Sequence, residues 1–150
     1  MKTEKSLNVL TLEQKKQYQE EGYLGLKGLV SSNWLDRLNK VTDEFVKESR
    51  SLSQSDKRFD FEPDHAPESP RIRRLNSPVD FNEEYWKFAS EGPFADVAQD
   101  ILGPNFKFHH SKLNLWCRLR IWCRRYCAFT FLVSFSGRRK RPTGFAQLRL

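Results

Sequence analysis

Four groups of residues carry side chains with chemistry to offer. His109 and His110 are adjacent imidazoles in a stretch, Phe106 to Leu115, that alternates apolar with polar residues. Neighbours on a regular strand point to opposite faces, so the spacing predicts that one metal ion cannot use both rings and that each is packed or solvated on its own side. Phe106, Phe108, His110, Lys112 and Asn114 would then share one face, and Lys107, His109, Ser111, Leu113 and Leu115 the other. Arg71, Arg73 and Arg74 form a guanidinium cluster suited to a carboxylate or phosphate, with plain surface charge as the competing reading. Asp60, Glu62, Asp64, His65 and Glu68 are rich in potential ligands. With no helix, strand or turn to fix their geometry, they predict a solvated loop rather than a metal site. Cys117, Cys123 and Cys127 are spaced C-x5-C-x3-C, which matches no common zinc framework, and no His follows His110. No phosphate-binding Gly loop, Ser/His/Asp arrangement or HExxH motif is present, so no catalytic and no metal-ligating residue is assigned.

The elements that would position these residues are punctuated clearly in places. Thr11 and Gln14 form a T-x-x-Q capping box that opens a helix from Leu12 to about Glu21, stopped by Gly22. Tyr23 to Val30 reads as a short strand with a turn at Gly28. Ser31 or Ser32 caps a helix whose apolar positions Trp34, Leu38, Val41 and Phe45 recur at intervals of four, three and four, one buried stripe. Ser49 to Pro70 turns to Ser, Asp, Glu and Pro and reads as a loop. Asp80 to Ser90 reads as a helix with Tyr85, Trp86, Phe88 and Ala89 on its apolar side. Pro93 and Gly103 bracket a further short helix, after which the period becomes two.

Composition divides the chain sharply. Residues 1–115 carry 17 Lys/Arg against 19 Asp/Glu, whereas residues 116–150 carry 9 Lys/Arg and no acid. Such asymmetry suggests a nucleic-acid or anionic-surface tail, with Arg138 to Arg141 as the basic run and Trp116, Trp122 and Tyr126 available for stacking. No RNP motif, helix-turn-helix or zinc finger gives it a scaffold, so nucleic acid is the weaker expectation. The longest apolar run, Cys127 to Phe135, is far short of the roughly 20 residues of a membrane-spanning helix. Its β-propensity and lack of charge instead predict self-association through an exposed strand. Met1 to Leu12 contains no apolar signal-like core, which predicts an intracellular, cytoplasmic protein with reduced thiols.

The first 115 residues have an order that resembles the phytanoyl-CoA dioxygenase family. The motifs are Leu10-Thr-x-x-Gln14 running into Glu21-Gly-Tyr-Leu24, Trp34-Leu-x-x-Leu38, Arg71-Ile-Arg-Arg-Leu75, Ile101-Leu-Gly-Pro-Asn105 and His109-His-Ser-Lys-Leu-Asn114. The resemblance implies an α+β chain: N-terminal helices plus the first strands of an incomplete double-stranded β-helix, jelly-roll or cupin-like. It also implies kinship with Fe(II)- and 2-oxoglutarate-dependent hydroxylases of small organic or acyl substrates. Arg74 would stand where the family places a basic residue near the cosubstrate, and Lys112 where a strand side chain lines the 2-oxoglutarate pocket. The family's His-x-Asp, distal His and following Arg have no counterpart, since residues 111–150 contain no His, Asp or Glu. That absence implies an inactive chain with neither iron nor 2-oxoglutarate bound. Residues 116–150 then read as a non-homologous, disordered tail. Trp-Cys occurs at 116–117 and 122–123, and any UGG-UGY pair read one base later encodes Gly followed by Ala or Val. A Gly-rich loop is what the family has at this point, so the expectation is a truncated domain, 1–115, joined to a divergent or frameshifted end. The alternative function is a non-catalytic protein whose basic tail binds nucleic acid or an anionic surface.

Overall fold

The capping box at Thr11 is formed from both sides. The computed structural model describes residues 7–116, 128–137 and 145–149. Thr11 Oγ1 accepts from the Gln14 amide at 3.1 Å while Gln14 Oε1 accepts from the Thr11 amide at 2.9 Å. These bonds open helix α1 (Leu12–Glu21), and Gly22 closes it at φ 79°, a left-handed conformation that costs glycine little. Because α1 buries none of its own residues, the segment before it does the anchoring. The amides of Asn8, Val9 and Leu10 donate to the Asp100 carboxylate at 2.8, 2.8 and 2.9 Å. Tyr23–Val30 is not among the strands of the sheet, although the turn at Gly28 forms with φ 70°. Two glycines in eight residues leave few side chains to cover a ladder.

Helix α2 (Ser32–Ser49) starts at Ser31, whose hydroxyl accepts from the Trp34 amide at 3.4 Å. Leu38, Val41 and Phe45 are buried as the stripe requires, and Thr42 and Ser49 are buried with them. The Thr42 hydroxyl donates to the Leu38 carbonyl at 2.7 Å, so the Tyr85 hydroxyl, 2.6 Å away, donates to Thr42. Burial pushes the Tyr85 phenol up to about 12, against the opposing pull of the Thr42 hydrogen bond. The segment expected to be all loop contains strand β1 (Phe59–Phe61), paired with β2 (Ile72–Asn76). Where one helix was expected from Asp80, there are two, α3 (Pro78–Phe81) and α4 (Glu83–Glu91). Asn82 separates them: its backbone is extended and its side chain accepts from the Glu84 amide at 2.8 Å, an N-cap arrangement. Helix α5 (Pro93–Leu102) ends at Gly103 as its punctuation predicts. No helix among the described residues is long and apolar enough to cross a membrane.

Strands β3 (Phe106–Trp116), β4 (Ala128–Gly137) and β5 (Phe145–Arg149) complete a five-stranded antiparallel sheet in the order β1-β2-β3-β4-β5. Two parts of the segment expected to be disordered therefore lie in the sheet, because the Cys127–Phe135 run has the β-branched and aromatic content that a ladder favours. Trp116 ends β3, and the other residues of 116–150 lie outside those described. The helices cover one face of the sheet. Beneath them Phe45 meets Phe59 edge-on at 6.4 Å, Trp34 meets Phe88 at 5.3 Å and Phe88 meets Phe94 edge-on at 5.4 Å. Leu75 and Leu113, opposite each other on β2 and β3, belong to the same core.

Strict alternation along β3 fails at one place. Phe108 pairs with Phe135 but His110 pairs with Ser134, so His109 is an extra residue, a β-bulge. Phe106 and Phe108 consequently pack toward the helices together with Leu113 and Leu115, rather than sharing a face with His110, Lys112 and Asn114. Trp86 of α4 meets Phe108 edge-on at 5.8 Å. Ser111 is carried into the core, where its hydroxyl has no hydrogen-bond partner among the described residues.

Two outcomes follow. Burial pushes the Asp100 carboxyl up, but the amides of Leu10, Asn8 and Val9, helped by Lys15, outweigh it and hold it below its usual 3.8. A depressed folded-state pKa gives stability that is complete above the unfolded value and lost as pH falls through the folded one. Asp100→Asn will therefore be less stable at neutral pH and will lack the wild type's loss of stability below pH 3.8 that this group causes, read by urea unfolding across pH. Ser111→Ala will be neutral or stabilising, by up to about 1–3 kcal/mol, since it removes a buried hydroxyl with no partner; a clear destabilisation in the same assay would contradict this.

Candidate functional site

The sheet face turned away from the helices carries the polar residues of β2 and β3. Arg74 stands opposite Asn114, and Asn76 opposite Lys112. Leu75 and Leu113 between these rows point into the core, so Arg74, Asn76, Lys112 and Asn114 share the other side. Arg74 Nε donates to Asn114 Oδ1 at 3.2 Å, which ties the guanidinium to the neighbouring strand. Lys112 is its diagonal neighbour, a relation that puts β-carbons roughly 7–8 Å apart or slightly less. His110 lies beyond Lys112 on the same face. Burial, then the charges of His109 and Lys112, lower its pKa from the ordinary histidine value.

The three-arginine cluster does not act as one. Arg71 reaches Asp64 at 3.3 Å, while Arg73 reaches Glu62 at 3.4 Å and Asp60 at 3.9 Å. The acidic segment expected to be solvated is thus largely an ion-pairing partner for two of the arginines, held by the β1–β2 hairpin. A bulge at Arg73 turns it and Arg74 to the same side, away from the core that Ile72 and Leu75 enter, yet Arg74 makes no ion pair with any described residue, and neither does Lys112.

His65 has a role that the sequence did not suggest. Its Nδ1 accepts from the Arg71 amide at 2.9 Å, so the proton sits on Nε2, which approaches the carbonyls of Ser49 and Leu52 at 3.2 and 3.1 Å. The ring stacks on Phe61 at 3.7 Å. Both nitrogens are committed, and the imidazole pins the end of α2 to the start of β2. His109 and His110 also differ from expectation. The bulge brings their Nδ1 atoms within 2.7 Å of each other instead of separating the rings across the sheet. A change of apolar parity, even at Phe106 and Phe108 but odd at Leu113 and Leu115, is the signal that would have revealed it. The described residues contain no group of three His, Cys, Asp or Glu placed to hold a metal ion. Among the described residues, then, no two-His, one-carboxylate set is assembled.

Helices packed on one face of a single antiparallel meander sheet, with cations on the other face, make an α+β arrangement. One solved structure similar to this chain is EctD from S. alaskensis, crystallised with bound Fe, with a TM-score of 0.58 and 23% sequence identity over 75% of this chain. The chain spans 38% of the length of EctD. No family model matches the chain, and no curated protein matches it.

His65→Ala removes an acceptor, a donor and a stacking partner, so it will cost on the order of 2–4 kcal/mol in urea unfolding. His109→Ala, at an exposed position, will change stability by less than about 0.5 kcal/mol.

Proposed function

We propose that the chain is a phytanoyl-CoA dioxygenase-like protein, related to Fe(II)- and 2-oxoglutarate-dependent hydroxylases of small organic or acyl substrates, and that it is itself catalytically inert. The observation that carries the kinship is the placement of Arg74 and Lys112 on one open face of a sheet whose other face is packed by helices, in a chain similar in fold to the iron-containing EctD. A guanidinium can take a carboxylate through two parallel hydrogen bonds and an ammonium adds a point charge, so the pair suits the two carboxylates of 2-oxoglutarate. Asn114 orients Arg74 for that role.

The inertness rests on the ligand set. Residues 111–150 supply no His, Asp or Glu, and the histidines before them do not assemble with a carboxylate. The chain corresponds in this reading to a truncated domain followed by a frameshifted or divergent end. Two measurements test it. Incubation with Fe(II) and 2-oxoglutarate will release no succinate; stoichiometric iron binding with succinate release would overturn the inertness. Translating the underlying gene in all three frames from the codon for Leu115 will reveal a His-x-Asp within about thirty residues, in keeping with short connections between core strands. If no frame holds that motif, the kinship itself fails. In a chain with the frame restored, Arg74→Gln and Lys112→Gln will each raise the KM for 2-oxoglutarate about tenfold, or ~1.4 kcal/mol.

A further inference from the structure

Independently of that reading, we propose that His109 and His110 form a two-imidazole site for a tetragonal, late first-row divalent cation of the Cu(II) class, created by the bulge in β3. The bulge is essential. On a regular strand the two rings would lie on opposite faces, whereas the extra residue here places their Nδ1 atoms 2.7 Å apart with the ring planes at 75°. Two nitrogens about 2.0 Å from one metal are separated by about 2.8 Å when the angle at the metal is a right angle, and by about 3.3 Å when it is tetrahedral. The observed bite matches the first case, so the pair favours square-planar or tetragonal ions over Zn(II).

A 2.7 Å approach of two ring nitrogens requires one of them to carry the proton between them. The cation displaces that proton and sits to one side of the line between the nitrogens, each ring turning to aim its Nδ1 lone pair at it. Both rings then adopt the Nε2–H form and present both Nδ1 lone pairs to the metal. If both are neutral beforehand, the displaced proton moves to Nε2 through water with no net release; if the pair holds an extra proton, one is released. His109 is exposed and gives access, and His110 is half-buried beside it. No described carboxylate joins the pair, so water fills the remaining positions. Lys112 on the same face opposes any cation, which leaves the site to the metal at the top of the divalent affinity order, Cu(II).

The test uses the full chain with Cys117, Cys123 and Cys127 alkylated, titrated with Cu(II) at neutral pH and followed by electron paramagnetic resonance. One equivalent should give a tetragonal spectrum split by two imidazole nitrogens, and Zn(II) should compete poorly. His109→Asn and His110→Asn should each weaken binding at least about tenfold and leave one nitrogen in the splitting pattern. Unchanged affinity in either variant, a two-nitrogen pattern that survives both, or Zn(II) binding tighter than Cu(II) would overturn the proposal. Imidazole nitrogen resonances of the unaltered chain provide a reading that does not depend on the variants folding. Substoichiometric Cu(II) should broaden His109 and His110 before His65, and the reverse order would overturn the site.

Discussion

The central strand must bury aromatic side chains at one end and leucines at the other on the same face, yet these residues occupy positions of opposite parity. A single extra residue at His109 reconciles the two. Phe106 and Phe108 meet the helices on one side of the bulge, and Leu113 and Leu115 meet them on the other. Without it, one pair or the other would be turned out of the core, since a one-residue slip inverts every side chain beyond it. The same device fixes the chemistry of the opposite face. It aligns Lys112 and Asn114 with Asn76 and Arg74, and it gathers two imidazoles that regular pleating would have parted.

Much of the helical layer was readable in the sequence because each signal there is local. The Thr11–Gln14 box, the Trp34–Phe45 stripe, Gly22 and the Pro93 and Gly103 brackets depend on residues within a few turns of one another. What escaped was decided by distant partners. Strand β1 is three residues long, hidden in a Ser- and Pro-rich segment, and exists because β2 offers it a ladder. The break at Asn82 depends on a capping bond that composition alone does not announce. The three arginines read as one cluster in the pattern of charges, and it is the ion pairs of Arg71 and Arg73 with distant acids that separate them from Arg74. The bulge was a different case, since the parity change was present in the sequence and regular alternation was assumed across it.

Charges around the hairpin are paired across it. Arg71 and Arg73 are matched to carboxylates on β1 and the turn beyond it, at partly exposed sites where such pairs contribute at most about 1 kcal/mol each. Arg58 is treated differently. It pairs with Glu48 while its guanidinium lies over the rings of Phe59, Phe81 and Phe45, so it caps the aromatic core as well as neutralising an acid. Arg37 does the same at the other end of α2, over Trp34 at 4.1 Å and bonded to Glu84 at 2.6 Å. The cations on the helical side are thereby spent on architecture, whereas Arg74 and Lys112 on the open side of the sheet make no ion pair with a described residue.

The clasp between Asp100 and the amides of residues 8 to 10 joins points more than ninety positions apart for two of its three bonds. A bond of that separation cannot guide early folding, because its loop must be closed before it returns any free energy. The helix α1 behind it buries nothing of its own and so has no independent reason to dock. The leading segment therefore joins last, onto a helical layer already assembled, and leaves first when the protein is heated or pulled. Its opening exposes the backbone around Thr11 to proteases while the sheet and its helices remain intact.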